Sequence, residues 1–212
     1  MSTYQILNIR KISEHCALIT TERPDVDVRP GQCFSVGIPG MGVNREYSMA
    51  SNSQSEYLEF LVRGVGDGLV SQRLLESRAG SLLEINGPFG EFCLPEKTHG
   101  INFLFVASGT GIAPFHSFVK SVPQLEYTVL HGIRFPDETY EKEVFAEGRY
   151  IPCISRNPKG KSLRVTDVLH EYTSLPNLIV YLCGNRHMIV DVTDILRSHG
   201  VDGDRIISEV FF

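Results

Sequence analysis

The chain has 212 residues, 42% of them hydrophobic, and 20 basic against 25 acidic residues give a formal net charge of −5 at pH 7. This composition suits ordinary globular cores and argues against a disordered chain. The acidic balance, without long runs of one sign, argues against a nucleic-acid partner. The longest apolar run, Phe103 to Ala107 with Ile101 just before it, is much shorter than the roughly 20 residues that cross a bilayer, and the N-terminus lacks signal-peptide features. We therefore expect a soluble cytoplasmic protein with no membrane partner.

The first half of the sequence is rich in short apolar stretches separated by glycine, proline and polar turn residues. Closely spaced strands of this kind favour a small antiparallel β-barrel. A helical period interrupts the strands at residues 69–76. The predicted strands are residues 4–9, 16–20, 32–38, 47–50, 57–62 and 82–85.

After residues 95–100 the pattern changes to alternating apolar strands and helices, which is typical of a parallel sheet covered by helices on both faces. We therefore predict two domains, a β-barrel at residues 1–97 and an α/β domain at residues 98–212. The predicted strands of the second domain are residues 101–107, 127–132, 150–155, 178–183 and 205–208. Its predicted helices are residues 113–122, 141–147, 166–172 and 188–198.

The cysteines are odd in number and widely scattered, so they predict neither a disulfide framework nor a metal site. Plant-type iron–sulfur spacing is also absent from the sequence. The cysteines are Cys16, Cys33, Cys93, Cys153 and Cys183.

A glycine-rich turn, Ser108-Gly109-Thr110-Gly111, follows the apolar segment at residues 101–107 and directly precedes a predicted helix. Glycines let the phosphates of a dinucleotide approach the backbone, and the N–H groups of a helix start favour negative charge. The turn lacks the GxGxxG pattern of the common dinucleotide fold, and a tight strand-to-helix connection is the alternative interpretation. We take Gly109, Thr110 and Gly111 as candidate phosphate-binding residues.

A second glycine turn, Gly66-Asp67-Gly68, precedes the helix predicted in the barrel and can hold a pyrophosphate by the same physics. Arg45 supports this interpretation, because a guanidinium binds phosphate oxygens with two hydrogen bonds and keeps its charge at working pH. Without a ligand, the same segments are consistent with a capped helix and an edge strand.

Short motifs in a fixed order along the chain resemble those of the ferredoxin–NADP reductase family, in its bacterial branch. The resemblance implies an FAD-binding antiparallel barrel followed by an NAD(P)-binding α/β domain. It also implies an enzyme that passes hydride from NADPH to FAD, and then electrons to a ferredoxin or flavodoxin. We expect this enzyme to be a monomer. The choice of FAD over FMN rests on this resemblance. The motifs are Arg45-Glu46-Tyr47-Ser48, Gly87-Pro88-Phe89-Gly90, Ser108 to Pro114, Cys183-Gly184-Asn185 and Glu209-Val210-Phe211-Phe212.

The resemblance assigns flavin contacts to the first motif. Arg45 is implied to contact the pyrophosphate, Tyr47 to pack its ring against the isoalloxazine, and the Ser48 hydroxyl to bond near flavin N5. In an extended backbone Arg45 and Tyr47 share one side, while Ser48 points to the other. The further implied FAD contacts are Val62, Gly68, Leu69, Val70 and Ser71.

The resemblance places the nicotinamide near the end of the fourth strand of the second domain. Cys183 is implied beside nicotinamide C4 as a small polarisable side chain rather than a nucleophile, with Gly184 and Asn185 as neighbouring cofactor contacts. This agrees with the position of ligand crevices at the carboxyl ends of parallel strands.

The C-terminal motif is implied to cover the flavin and to position the nicotinamide. Glu209 supplies the carboxylate, and either Phe211 or Phe212 supplies the aromatic ring. Together with Ser48 and Cys183, Glu209 is predicted as a catalytic group that orients the reactants.

A preference for NADPH requires cations for its 2′-phosphate near the second and third strand ends of the nucleotide domain. The HGIR and SR segments resemble the NADPH-dependent bacterial branch, which suggests Arg134, Arg156 and Arg164 as phosphate contacts and Ser155 as a hydroxyl donor. Solvated loop charges are the alternative explanation of the same residues.

Three other functions share this sequence pattern. An NADH-dependent reductase component of an oxygenase has the same architecture, as does a free-flavin reductase that releases its flavin. A non-catalytic flavin-binding subunit of an electron-transfer complex is the alternative outside enzymes.

Overall fold

The structure is a computed structural model that describes residues 2–66 and 68–211. The chain folds into two units. The first unit extends to Leu94 and also includes Ala113–Ser121. The second unit consists of Pro95–Ile112 and the chain from Val122 onward. The domain boundary between residues 97 and 98 remains a prediction.

Within the described residues, the first unit contains an antiparallel sheet of six strands in the order β4-β3-β6-β1-β2-β5. Beyond the sheet, a bridge from Met49 to Phe60 links the outer strands, and the Ala50 N–H donates to the Glu59 carbonyl at 2.8 Å. This link closes the sheet and confirms the predicted antiparallel barrel. The strands are β1 (Ser2–Ser13), β2 (Cys16–Glu22), β3 (Cys33–Gly37), β4 (Asn44–Ser48), β5 (Tyr57–Arg63) and β6 (Leu82–Phe89).

Alternate side chains of these strands fill the barrel with an apolar core that includes Phe34, Leu58 and Phe60. The helix α1 spans Leu69–Glu76, as predicted, and buries Val70 and Leu74 in the same core. The helix therefore forms because its apolar stripe covers the barrel, rather than from intrinsic helix propensity alone.

The helix α2 (Ala113–Ser121) follows the glycine-rich turn in sequence, yet it packs as part of the first unit. The C-terminal end of α2 is hydrogen-bonded to the segment that follows β4. Asn52 Nδ2 donates to the Lys120 carbonyl at 2.7 Å, and the Ser53 N–H donates to Ser121 Oγ at 2.8 Å. Lys120 Nζ also forms an ion pair with Glu59 at 2.8 Å. The sequence pattern, which follows chain order, placed this helix in the nucleotide domain.

Five parallel strands form the sheet of the second unit, as far as the chain is described, in the order β11-β10-β7-β8-β9. The helices α3 and α4 and the turn after α3 pack Leu169, Val192 and Leu196 into a cluster with Leu104 and Val106 of the sheet. This arrangement confirms the predicted α/β fold class. The elements are β7 (Asn102–Ser108), β8 (Glu126–Ile133), β9 (Tyr150–Ile154), α3 (Val165–Val168), β10 (Leu178–Gly184), α4 (Arg186–Ser198) and β11 (Ile206–Val210).

The helix predicted at residues 141–147 was wrong, because only a 3-10 turn at Lys142–Val144 forms there. Tyr140 and Glu141 have positive φ angles of 24° and 61°, which an α-helix does not allow. Tyr140 and Phe145 are both buried. An α-helix rotates about 100° per residue, so it would direct these two rings roughly 140° apart. Burial of both rings therefore outweighs the helical pattern of the sequence.

The helix predicted at residues 166–172 is present in part, as α3 followed by a 3-10 turn at Leu169–Tyr172. Among the described residues, no helix is long and apolar enough to span a membrane.

Candidate functional site

The strand β4 carries the first group of predicted flavin contacts. Tyr47 is half-buried and packs on the barrel core, with its ring centroid 6.4 Å from that of Phe60. Burial raises the pKa of Tyr47 to about 12, while the charge of Arg45 lowers it slightly, so the phenol is protonated at neutral pH. Arg45 is exposed, and Ser48 is buried on the other side of the strand. The predicted alternation of Arg45, Tyr47 and Ser48 is therefore observed.

The start of α1 is a tight turn around Gly68. A Cβ on Gly68 would lie 2.5 Å from both Ser71 Oγ and a methyl of Val65, so a side chain there requires a rearrangement. Ser71 Oγ donates to the Gly68 carbonyl at 3.1 Å and accepts from the Val65 N–H at 3.5 Å. Ser71 thus holds the turn, and an anion at this position would meet backbone N–H groups.

The other residues predicted around α1 differ in exposure. Val62 and Val70 are buried in the core cluster, whereas the Leu69 side chain is 56% exposed. Contacts of Val62 and Val70 with a ligand would therefore use their main chain. The first turn of α1, residues 69–72, contains no acidic residue, and the positive end of a helix dipole favours an anion.

In the second unit, the glycine-rich turn is a 3-10 turn at Gly109–Ile112 that leads directly into α2. Gly109 has a φ of 55°, the left-handed region that glycine tolerates best. Its carbonyl lies 2.8 Å from Nε2 of His131, which is fully buried at the end of β8. On its other side, His131 Nδ1 lies 2.8 Å from the Tyr150 hydroxyl. The conformation of the turn is therefore fixed from the interior of the sheet.

The predicted phosphate glycine Gly111 faces protein rather than open space. Its Cβ position would lie 2.6 Å from the Cys183 carbonyl carbon and 2.8 Å from the Gly184 Cα. Gly184 has a φ of 137° and packs on the main chain of Ser108. A Cβ at residue 184 would lie 2.8 Å from the Ser108 carbonyl oxygen and 2.9 Å from the Ser108 nitrogen. These glycines let the end of β7 and the end of β10 touch backbone to backbone.

Ser108 and Asn185 join the same two strand ends by hydrogen bonds. Ser108 Oγ accepts from the Asn185 N–H at 2.9 Å and from Asn185 Nδ2 at 3.1 Å. Asn185 Oδ1 caps α4 by accepting from the Met188 N–H at 2.9 Å. The side-chain nitrogen and oxygen of Asn185 are therefore both hydrogen-bonded within the protein. Its predicted contact with the cofactor would be made by a side chain whose orientation is already fixed.

Cys183 lies beside Glu209 where β10 and β11 pair. Its Sγ is 4.0 Å from a Glu209 carboxylate oxygen, and the cysteine is fully buried. Burial, and secondly the charge of Glu209, raises the pKa of Cys183 well above its usual value. The group is therefore a thiol at neutral pH, and its role beside the nicotinamide stays a prediction. A direct contact with a nicotinamide requires the surrounding side chains to move.

The C-terminal motif continues the alignment of β10 with β11. Cys183 pairs with Glu209 and Gly184 with Val210, and the Phe211 N–H then donates to the Gly184 carbonyl at 2.8 Å. Phe211 is therefore held at the end of β10. Phe212 lies outside the described residues.

The residues predicted to bind the 2′-phosphate follow adjacent strands. The Arg156 N–H donates to the Arg134 carbonyl at 2.9 Å, and Ser155 Oγ donates to the Ile133 carbonyl at 3.1 Å. The two arginines are therefore held side by side after β8 and β9, and both are exposed. The Arg156 guanidinium lies 6.0 Å from the centre of the Phe135 ring.

Two carboxylates accompany these cations. Glu138 accepts from the N–H of Arg134 at 2.7 Å, and Asp167 accepts from the N–H of Arg164 at 2.7 Å. The main-chain N–H groups of Arg134 and Arg164 are thus hydrogen-bonded within the protein. The guanidinium groups of these residues are therefore the candidate phosphate contacts.

Two family models match the chain in tandem. Residues 6–93 match the oxidoreductase FAD-binding domain, and residues 105–194 match the oxidoreductase NAD-binding domain. The chain belongs to the oxidoreductases that join an FAD-binding domain to an NAD-binding domain. Membership assigns the FAD-binding domain to the barrel and the NAD-binding domain to the region of the parallel sheet.

Two kinds of curated reductase resemble this chain. A ferredoxin–NADP reductase of Pseudomonas aeruginosa is 27% identical, over 91% of this chain and 90% of that protein. The reductase component of propane 2-monooxygenase from Mycolicibacterium smegmatis is 30% identical, over 87% of this chain and 59% of that protein. The chain thus spans about three fifths of that oxygenase reductase component.

Solved structures share the fold of this family member. The crystal structure of a ferredoxin NADP+ reductase from Neisseria gonorrhoeae with bound FAD and NADP has a TM-score of 0.87. The match covers 100% of this chain and 98% of that one, at 22% sequence identity.

Sequence reasoning missed the contacts that His131 and Glu138 make with the backbone of the candidate site. The sequence did contain a signal for His131, because it directly follows an apolar run and stands where parallel strands present ligand-binding residues. Glu138 gave no such signal, since its contact with the Arg134 backbone depends on a loop that the sequence predicts poorly.

Proposed function

We propose that this chain is an FAD-dependent NAD(P)H oxidoreductase that takes hydride from NADPH and passes electrons to a ferredoxin or flavodoxin. The observation that carries the proposal is the tandem match to FAD-binding and NAD-binding oxidoreductase domains within one chain. Bound FAD would accept two electrons as hydride and release them singly, chemistry that amino-acid side chains do not provide.

The barrel unit offers groups that fit FAD. Tyr47 presents a neutral, half-buried phenol ring suited to stacking on the isoalloxazine, and Ser48 supplies a hydroxyl on the same strand. The exposed guanidinium of Arg45 suits the pyrophosphate, as do the N–H groups of Leu69 and Val70 at the start of α1. Gly68 allows the tight turn before them.

The parallel-sheet unit offers groups that fit a nicotinamide dinucleotide. We assign the phosphates to the turn of Gly109 and Thr110, whose N–H groups open the 3-10 turn. Gly111 contributes by letting this turn approach the main chain of Cys183. Gly184 and Asn185 complete this contact region.

The end of β10 is the proposed position of the nicotinamide. Cys183 contributes a protonated, polarisable sulfur, and the Glu209 carboxylate beside it contributes charge that can orient the ring. Phe211, held by the Gly184 carbonyl, or the following Phe212 supplies the aromatic ring. These groups, with Ser48, orient the reactants and exclude water rather than form covalent intermediates.

The proposed preference for NADPH rests on the paired guanidinium groups of Arg134 and Arg156, together with Arg164 and the Ser155 hydroxyl. Arginine suits a phosphate monoester because its donors form a planar fork with fixed charge.

The proposed partner is a small electron-carrier protein, and we propose a monomeric cytoplasmic enzyme. The name of the Pseudomonas aeruginosa relative supports a ferredoxin as acceptor. A second function, the NADH-dependent reductase component of an oxygenase, is favoured by the propane 2-monooxygenase relative and by the carboxylates of Glu138 and Asp167 beside the candidate arginines.

The proposal is tested by loading the purified chain with FAD, removing free flavin by gel filtration, and measuring reduction of ferricyanide with NADPH or NADH. We expect retained flavin and a higher kcat/KM with NADPH. A higher kcat/KM with NADH supports the oxygenase component, and loss of flavin supports a free-flavin reductase. Absence of turnover with both nucleotides contradicts an enzymatic function and supports a non-catalytic flavin-binding subunit.

A further inference from the structure

We propose that His131 is a positioning residue of the dinucleotide site, which aims the backbone N–H of Thr110 at the bound phosphates. The inference rests on the proposed function, because it assigns a role within the NAD-binding domain. His131 itself does not contact the cofactor. It acts through the Gly109–Thr110 peptide group.

The hydrogen bonds of His131 determine where its proton lies. The Gly109 carbonyl, 2.8 Å from Nε2, can only accept, so Nε2 carries the hydrogen. Nδ1 then accepts from the Tyr150 hydroxyl at 2.8 Å. The alternative acceptor for that hydroxyl, the Thr139 carbonyl, is farther away at 3.5 Å. Burial lowers the pKa of His131 to about 4, which keeps this neutral form at working pH.

The bond to His131 fixes the orientation of a whole peptide plane. In a trans peptide the carbonyl and the following N–H point in opposite directions. Because the Gly109 carbonyl points inward to His131, the Thr110 N–H points away from the buried imidazole. Gly109 has a φ of 55° and, as glycine, its backbone has other accessible conformations, so the hydrogen bond from His131 favours this one among them.

Tyr150 holds the imidazole in turn. Its ring stacks on Phe145 with centroids 5.5 Å apart and planes 12° from parallel, and it packs edge-on against His131. Tyr150 begins β9, which is hydrogen-bonded in register to β8. The chain Tyr150–His131–Gly109 thus connects the sheet interior to the turn.

The test measures the dissociation constant of NADP+ for the FAD-loaded protein by calorimetry, alongside the thermal midpoint. His131→Phe removes the donor to Gly109, whereas His131→Gln retains an N–H near the position of Nε2. Tyr150→Phe removes the hydroxyl that orients the imidazole. Tyr127→Phe is the matched control, because its hydroxyl accepts from the Ala146 N–H at 2.9 Å instead.

We expect His131→Phe to weaken NADP+ binding about tenfold and Tyr150→Phe about threefold, the size of one lost hydrogen bond. His131→Gln should bind NADP+ within about threefold of wild type, although it loses the packing of the imidazole ring on Tyr140 and Tyr150. Tyr127→Phe should leave the affinity unchanged.

The inference is overturned if NADP+ affinity follows the thermal midpoint across these variants, or if His131→Gln binds as weakly as His131→Phe. If His131→Phe does not fold, equal affinities of Tyr150→Phe and Tyr127→Phe overturn it. If the wild-type protein binds neither NADP+ nor NAD+, the result contradicts the proposed function itself, and with it this inference.

Discussion

Gly111 lies against the main chain of Cys183 so closely that no side chain fits between them. A Cβ at residue 111 would be 2.6 Å from the Cys183 carbonyl carbon, and neither backbone can withdraw without disturbing its strand end. The glycine-rich turn after β7 and the end of β10 are therefore built as one packed unit, and the glycine serves this packing.

We expect Gly111→Ala to destabilise the protein by about 1–3 kcal/mol, the usual cost of forcing extra atoms into a packed region. Thermal unfolding should show a fall in the melting temperature of the order of several degrees. Gly203→Ala is the matched control in the same unit, because its Cβ would make only an ordinary contact with Arg197 at 3.5 Å. Equal stability of the two variants would contradict the packing role of Gly111.

The example of Gly111 shows what the sequence predicts and what it does not. The motif Gly109-Thr110-Gly111 predicted a turn whose backbone is closely approached by another group, because glycine leaves free the space that a Cβ would fill. The sequence could not distinguish phosphate approach from close backbone packing, since both require the absence of a Cβ. That distinction depends on β10, which is remote from the turn in sequence.

The fold class was predictable because both units have strong local patterns. Closely spaced strands separated by turn residues in the first half favour a barrel, and the alternation of apolar strands with helices in the second favours a parallel sheet. The predicted helix at residues 141–147 failed because Tyr140 and Phe145 are buried against aromatic rings outside that segment, which the helical pattern does not record. His131 was overlooked although it directly follows an apolar run, because its partners Gly109 and Tyr150 are remote in sequence.

The ion pair between Lys120 and Glu59 anchors α2 to β5 within the first unit. Its side chains are 26% and 15% exposed, and the Nζ to Oε2 distance is 2.8 Å. Glu59→Gln should therefore cost about 1–2 kcal/mol of unfolding free energy, more than a surface pair because a partly buried ammonium loses its counter-charge.

Glu76→Gln is the control for that change, because its ion pair with Arg73 has side chains that are 62% and 61% exposed. We expect an effect below about 0.5 kcal/mol there. Urea denaturation of both variants measures the difference. A cost at Glu59 as small as that at Glu76 would show that this pair does not anchor the helix.

Arg156→Ala should reduce the ratio of kcat/KM for NADPH over that for NADH by about tenfold or more, because a charge-assisted bond to the 2′-phosphate is lost. The effect should lie mainly in KM for NADPH, since the phosphate is remote from the reacting carbon. Arg205→Ala, at an exposed arginine before β11, serves as control and should leave the ratio unchanged. An unchanged ratio for Arg156→Ala would refute the phosphate contact.

The stability of the protein should depend on pH through His131. Burial lowers its pKa from 6.5 to about 4 in the folded state. Between those values the unfolded chain binds a proton that the native protein does not, so stability is full above pH 6.5 and falls as the pH falls toward 4.

At about 1.36 kcal/mol per unit, the loss between roughly pH 7.5 and pH 4.5 is about 2 to 3 kcal/mol. His131→Gln lacks this titration, so the difference in unfolding free energy between wild type and variant should shift by that amount over the same range. Denaturant unfolding at both pH values measures it. A difference that is independent of pH would mean that His131 titrates normally in the folded protein.

The central claim, hydride transfer from a nicotinamide to a flavin bound by this chain, is tested most directly by anaerobic rapid mixing. The FAD-loaded protein is mixed with NADPH or NADH, and the loss of oxidised-flavin absorbance is followed in a single turnover. We predict fast bleaching by NADPH and slower bleaching by NADH. Absence of bleaching with both nucleotides, in a sample that retains its FAD, would contradict the claim.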